Sequence, residues 1–348
     1  MKRSLSILLF IFLYFHVSAQ RNCKFSSSKT DLIENYNVKI ENVITIPVHV
    51  IIVHKSNEAI GQGRNLSDAQ ILSQIQVLNE DFRRLNPDTS NTPLEFASIA
   101  ADCMIEFCLA DRDTNGNSTN GITRYTYDSN TISENYMDNN IKPLTIWDPA
   151  HYLNIWTARI SADGYAYMPS DGVPDYMDGV VIRDEFVGYM GTAQFPFNLG
   201  HMATHEIGHY FGLEHTWGYN YGCNDDDGIG DTPNQYDYYE NCPLYPQYSC
   251  NSSDMFMNYM DYVDDACMNL FTEGQKIKMH NTIQSGRPGL LQSNGCSSIT
   301  SANLAENDIQ KKAIRIIDII GRKVNVKPNT PLFYIYDDGT VEKRITIN

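Results

Sequence analysis

The sequence predicts a mixed α/β (α+β) domain over residues 43–296 followed by a small β-rich module within 297–348, and three observations predict it. A β-branched run at 43–53 precedes an amphipathic helical pattern at 68–85. Further strand-like runs recur at 103–110, 152–158 and 178–183. After Cys296 the composition changes to the linker-like Ser297-Ser298-Ile299-Thr300-Ser301, and residues 312–347 then alternate apolar and polar side chains around Gly321 and Asp337-Asp338-Gly339. With 348 residues, 42% of them apolar, the chain can bury a sizeable core, which excludes disorder over most of its length.

Taken in order, Lys2 and Arg3 precede the apolar run 7–15, and Val17-Ser18-Ala19-Gln20 supplies small residues of the kind signal peptidase prefers, so residues 1–20 read as a cleaved signal peptide. The run falls short of the ~20 apolar residues that span a bilayer, and no later run qualifies as a transmembrane segment. Residues 21–42 are polar and turn-rich and read as a short pro-segment or linker. In the first strand Pro47 implies a bulge or an edge position at the start. Leu66-Ser67-Asp68 offers N-cap chemistry for the helix whose apolar face is Ile71, Ile75, Leu78 and Phe82. Tyr165-Ala166-Tyr167-Met168-Pro169 reads as an edge strand and His201–Leu213 as a helix closed near Gly212. Residues 218–254 are irregular, and a last helix is expected near 272–285.

Lys plus Arg number 26 against 42 Asp plus Glu, a formal charge of -16, so a nucleic acid would be repelled and is excluded as a partner. All eight cysteines lie beyond the signal segment, and four of them, Cys223, Cys242, Cys250 and Cys267, crowd into one loop-rich stretch. Four cysteines allow three connectivities that sequence does not rank. Cys223–Cys250 with Cys242–Cys267 is the expectation adopted here. A local Cys103–Cys108 bridge and a Cys23–Cys296 pair are also open.

The chemistry is carried by His205-Glu206-Ile207-Gly208-His209. Two imidazoles four residues apart share one helix face and can reach a single ion. His215 follows six residues after His209, with Gly212 between them where a residue lacking Cβ lets the helix end and the chain turn back. Three neutral nitrogens leave a coordination position open, which separates a catalytic zinc from a structural one closed by a fourth ligand. Glu206, beside the first ligand, is the natural general base. A binding module or a structural zinc protein has no chemical need for that carboxylate, and no GxSxG nucleophile motif competes.

The stretch His205–Gly218 resembles the zinc helix of metzincins, and within them the pappalysin family, particularly its bacterial cytophagalysin branch. Asp231-Thr232-Pro233-Asn234-Gln235, Asp254–Tyr262 and Cys267–Gln275 look like that branch's signature segments, and 74–83 and 178–182 are similar in kind, so the resemblance covers roughly 43–290. It implies a metzincin-like two-subdomain catalytic domain with a mixed sheet and a zinc-bearing helix, and a secreted zinc endopeptidase acting on protein or peptide substrates. It implies further that Met260 is the Met-turn residue beneath the metal and that Tyr262 hydrogen-bonds the tetrahedral intermediate. The acidic loop Asp225, Asp226, Asp227, Asp231 and Thr232 would hold calcium, with Asp227, Asp231 and Thr232 the chosen ligands. Asp261, Asp264 and Asp265 follow the Met-turn where metzincins build the S1′ wall; carboxylates of Asp264 and Asp265 there would favour Lys or Arg after the scissile bond. Cys23 in the pro-segment would hold a latent zymogen by a thiolate on the zinc. Residues 314–344 resemble the carboxy-terminal sorting domain of the type IX secretion system, without its opening Asn-Pro segment. That implies a Bacteroidetes-type bacterium, its secretion machinery as a partner, and a place outside the cell or at its surface.

Overall fold

In the computed structural model, which describes residues 23–24, 42–296, 313–317, 324, 331–336 and 341–345, seven strands form one sheet. They are β1 (Cys23–Lys24), β2 (Ile44–His54), β3 (Ile105–Leu109), β4 (Ile122–Thr126), β5 (Leu153–Ala158), β6 (Gly164–Ala166) and β7 (Val180–Arg183). The order is β1-β6-β7-β5-β2-β3, with β4 pairing the second half of β2. Every pair is parallel except β6 with β7. The expected signal segment 1–20 and all of 21–42 but Cys23, Lys24 and Glu41's neighbour Asn42 lie outside the described residues.

The long strand β2 shows why the sheet is covered on both faces. Ile46, Val48, Val50 and Ile52 point into one apolar cluster, while Ile51 and Val53 point into a second, the period-2 alternation of a strand whose two sides are both buried. Pro47 stands in register with Cys108 of β3, one residue before β5 begins to pair at Val48. Ile44 N–H and the Val48 carbonyl face β3 and its continuation, so the flank facing β5 is the one on which proline's missing N–H falls.

On the first face lie α1 (Asp68–Phe82), α2 (His201–Tyr210) and α3 (Glu273–Gly286). Ser67 caps α1, its hydroxyl accepting from Gln70 N at 3.2 Å. The helix stops at Phe82 rather than Leu85 because Arg84 turns to a φ of 50° and Leu85 N closes back on the Glu80 carbonyl at 2.7 Å. Thr272 and Gln275 form a reciprocal capping box on α3. The stretch 218–254 holds only the short hairpin β8 (Tyr248–Ser249) and β9 (Ser252–Ser253) among regular elements. No described helix is long and apolar enough to cross a membrane.

Two compact units divide the chain, Met1–Ser297 and Ser298–Asn348. The second, by itself, contains an antiparallel sheet of β10 (Ala313–Ile317), β11 (Pro331–Tyr336) and β12 (Val341–Ile345). Disulfides join Cys223 to Cys250 and Cys242 to Cys267. A third joins Cys108 to Cys296, which corrects both other expectations: Cys296 is not available to Cys23, and Cys103 is a buried thiol whose side chain faces the apolar core rather than Cys108. Alternation along β3 sends neighbouring odd and even positions to opposite faces, so two cysteines five apart cannot meet.

The Cys108–Cys296 bridge closes a loop of sequence separation 188, and long loops gain most from closure. Replacing both cysteines by serine is expected to cost about 2–4 kcal/mol. At roughly 2–4 °C per kcal/mol for a domain of this size, differential scanning calorimetry should show Tm falling by about 5–15 °C.

Candidate active site

Helix α2 is wholly buried and places His205, Glu206 and His209 on its inner face. It ends in a Schellman motif: Leu213 N bonds the Gly208 carbonyl at 2.9 Å and Gly212 N bonds the His209 carbonyl at 2.8 Å, with Gly212 at a φ of 86°. A Cβ at Gly212 would also stand 2.6 Å from Thr282 Oγ1 of α3. The turn brings His215 back. Its Nε2 lies 3.1 Å from that of His209, which lies 3.2 Å from that of His205. Among the described residues these three form the one group of His, Cys, Asp or Glu side chains placed to share a metal, with ligand atoms all within 4.8 Å of one another.

The donor chemistry fits zinc. His205 Nδ1 is 2.7 Å from the Tyr259 carbonyl and His209 Nδ1 is 2.7 Å from the Leu213 carbonyl. A carbonyl only accepts, so each Nδ1 carries the proton and each Nε2 presents a bare lone pair. Burial pushes the His209 imidazole down to about 4, which keeps it neutral at physiological pH. Lone pairs facing each other at this distance repel unless a cation lies between them, and nitrogens at 2.0–2.1 Å from a tetrahedral zinc stand about 3.3 Å apart.

Glu206 is fully buried beside the triad. Above it runs β6: a Cβ at Gly164 would stand 2.6 Å from Glu206 Oε1, so only glycine permits this approach of strand and carboxylate. Below α2, Met260 packs its sulfur where a Cβ of Gly208 would be. Tyr262 borders the triad, its ring centroid 4.9 Å from that of His215 and 5.7 Å from that of His205, between Trp217 at 4.8 Å and Tyr238 at 5.2 Å. His215 stacks flat on Trp217 at 4.3 Å.

A profile of the peptidase M43 family, described as pregnancy-associated plasma protein-A, matches residues 135–284. An extracellular metalloprotease of Verticillium alfalfae is 32% identical over 268 residues, covering 74% of this chain and 81% of its own length. One of Colletotrichum graminicola is 30% identical over 288 residues, covering 76% and 90%. Mature mirolysin of Tannerella forsythia, solved with a cleaved peptide, superposes with a TM-score of 0.67 at 45% identity over 72% of this chain and 96% of that one. This chain belongs to the pappalysin family of zinc metalloendopeptidases.

The pappalysin fold explains several residues to which the sequence assigned no role. Asp81 of α1, buried, accepts from Thr204 Oγ1 of α2 at 2.6 Å and from the Tyr259 hydroxyl at 2.9 Å. It therefore ties the metal helix to the turn whose carbonyl orients His205. Asn258 and Gln275 of α3 exchange two amide hydrogen bonds, at 2.9 and 3.0 Å, and Asn258 Oδ1 accepts from Met260 N at 2.9 Å. His201 bonds the Asp265 carbonyl through Nδ1 at 2.8 Å and faces Asp81 at 3.7 Å.

The fold gives two of the acidic residues structural partners. Asp265 is buried and accepts from Leu199 N at 2.9 Å and His201 N at 3.3 Å, at the start of α2. Asp231 accepts from Thr272 Oγ1 at 2.7 Å and Gly274 N at 2.9 Å at the start of α3. Thr232 Oγ1 donates to Asp227 Oδ1 at 2.7 Å. Asp225 and Asp226 bond local backbone N–H groups.

Because Asp81 acts on His205 through Tyr259, Asp81→Ala should weaken zinc binding by about tenfold, the lower end of what loss of an outer-shell partner costs. Competition with a chromogenic chelator measures this; unchanged affinity would show that Tyr259 holds His205 without help.

Proposed function

We propose that this pappalysin is exported as a latent precursor and, once its pro-segment leaves, cuts proteins with His205, His209 and His215 as zinc ligands and Glu206 as general base. The observation that carries the reading is the convergence of three imidazole Nε2 atoms beside a buried carboxylate. Zinc bound there would act as a Lewis acid and lower the pKa of water to about 7. Glu206 takes the proton of the attacking water and returns it to the leaving amine. Tyr262, a neutral phenol at the rim of the triad, donates to the oxygen on which negative charge develops. The edge of β6, directly over Glu206, offers backbone groups along which an extended peptide aligns. The cleaved peptide in the mature mirolysin structure is in keeping with a polypeptide substrate.

Latency is supported by the pairing of β1 with β6, which sets Cys23 opposite Gly164, the residue against Glu206. The pro-segment backbone thus occupies the outer edge of β6, the edge along which this reading docks a substrate. Promirolysin, a structural neighbour at 43% identity and TM-score 0.64, is itself a precursor form. Preference for Lys or Arg after the scissile bond now rests on Asp264, which is half-buried. Calcium binding, with Asp227, Asp231 and Thr232 as ligands, rests on Asp227, whose Oδ2 is buried without a hydrogen-bond partner and whose carboxyl burial pushes up to about 7. The domain reading is retained: signal 1–20, pro-segment 21–42, catalytic domain 43–296 and a carboxy-terminal module in 297–348 that addresses the enzyme to the secretion machinery. The names of the fungal relatives support an extracellular location.

Cleavage of a proteome-derived peptide library, with and without a zinc chelator, tests the reading. Glu206→Ala should keep one zinc and lose at least about a thousandfold in kcat, a loss in keeping with removal of a general base whose contribution alone is typically 10²–10⁴-fold; activity equal to wild type would sink the mechanism. Cuts before residues other than Lys and Arg would overturn only the Asp264 proposal. Separately, Cys23→Ala in the full-length chain should show activity before any pro-segment cleavage, and a variant as silent as wild type would contradict thiolate latency.

A further inference from the structure

On the face of β6 turned away from α2 lies a buried ionic cluster to which neither the metal site nor the comparisons give a role. Tyr165 belongs to the apolar cluster of that far face, while Ala166 belongs to the cluster containing α2. Asp138 sits in the π-helical turn Met137–Ile141, an uncommon conformation that recurs at functional sites. Its two oxygens accept from the Tyr165 hydroxyl at 2.9 Å and the Tyr167 hydroxyl at 2.7 Å. One turn on, Lys142 is fully buried, with Nζ 2.7 Å from Asp138 Oδ1 and donating to the Met177 carbonyl at 2.8 Å. The rings of Tyr165, Tyr167 and Trp156 surround the ammonium at 4.6, 5.0 and 5.2 Å. On the other side, Arg287 donates to the Tyr167 carbonyl and the Tyr210 carbonyl, each at 3.0 Å, so the end of β6 and the end of α2 share one guanidinium.

We propose that Asp138, locked by Lys142, is a positioning residue for peptide hydrolysis: through the hydroxyls of Tyr165 and Tyr167 it fixes the height and register of β6 over Glu206. The physical case is one of cost against purpose. Burying an ammonium and a carboxylate is expensive, and a well-packed apolar pair often serves stability as well. What an apolar pair cannot do is hold two hydroxyls at hydrogen-bond distance on a strand only three residues long. Without these bonds β6 keeps its pairing with β7, the Arg287 bond at Tyr167 and, until the pro-segment leaves, the pairing with β1, none of which grips its tyrosine side chains. Gly164 stands against Glu206, so a displacement of the strand withdraws the docking edge from the level of the base and weakens binding of an extended peptide along it.

The proposal rests on the reading that the β6 edge receives substrate. The test uses the proteolytically activated enzyme, the Tyr165→Phe/Tyr167→Phe pair, Asp138→Asn and Lys142→Met, and peptides sharing one scissile bond but carrying short or long extensions on either side. The phenylalanine pair keeps both rings and removes only the hydroxyls, so it remains informative if Lys142→Met does not fold. KM for the long peptides should rise about tenfold with kcat within about threefold and zinc content unchanged, while the short peptides are cleaved as by wild type. Unchanged KM for the long peptides would overturn the proposal, as would an equal loss on short and long peptides accompanied by loss of zinc. A wild-type enzyme that gains nothing from extension on either side would instead remove the β6-docking reading, and the clamp with it.

Discussion

Three imidazole lone pairs held at 3.1 and 3.2 Å from one another are the constraint on which the rest of the domain depends. Such an arrangement is unfavourable by itself, and the protein imposes it by proton placement. Two of the rings are committed to the Nδ1–H tautomer by backbone carbonyls, one from the strand-like turn at Tyr259 and one from the helix's own end at Leu213. With both Nε2 atoms bare, the stored repulsion becomes affinity for a cation of the right size. The third ring arrives only because Gly212 adopts a left-handed conformation and, lacking Cβ, lets α2 lie against Thr282.

Each surrounding layer can be read as support for that geometry. Asp81 couples α1 to both α2 and Tyr259, and the Asn258–Gln275 amide pair couples α3 to the turn that carries Met260. Met260 then fills the space that Gly208 leaves, so a sulfur and a glycine together set how near the turn comes to the helix. Two disulfides brace the irregular stretch between His215 and the last helix, where few backbone groups pair in regular elements. The sheet contributes β6, antiparallel to its neighbour β7, whose small residues face the site while Tyr165 and the following Tyr167 are held from behind.

Much of this was legible in the sequence because the signals are local. HExxHxxGxxH encodes a helix face, a helix end and a returning ligand within eleven positions. Periodicity located β2, α1, β3, β5 and β7 to within a few residues but not β4, and the misplaced helix ends at Phe82 and Tyr210 follow from backbone turns at Arg84 and Gly212. What sequence could not supply were pairings between distant segments. Nothing near Cys108 points to Cys296, and nothing near Asp138 points to Tyr165 and Tyr167. The same limit hid the partners of Asp231 and Asp265: in sequence each belongs to an acidic cluster, and in the fold each carboxylate meets the N-terminus of a helix and accepts from its amides. Asp81 lies inside a stretch resembling the family's, yet its role depends on partners 123 and 178 residues away.

The most direct test of the central claim is zinc K-edge absorption spectroscopy on the chain lacking residues 21–42. Three nitrogen scatterers of imidazole type at about 2.0–2.1 Å with one oxygen neighbour are the expected first shell, and substitution of any one of His205, His209 or His215 should remove a single imidazole or the metal altogether. A shell containing two or more sulfurs, or one that survives all three substitutions, would place the zinc elsewhere and contradict the account.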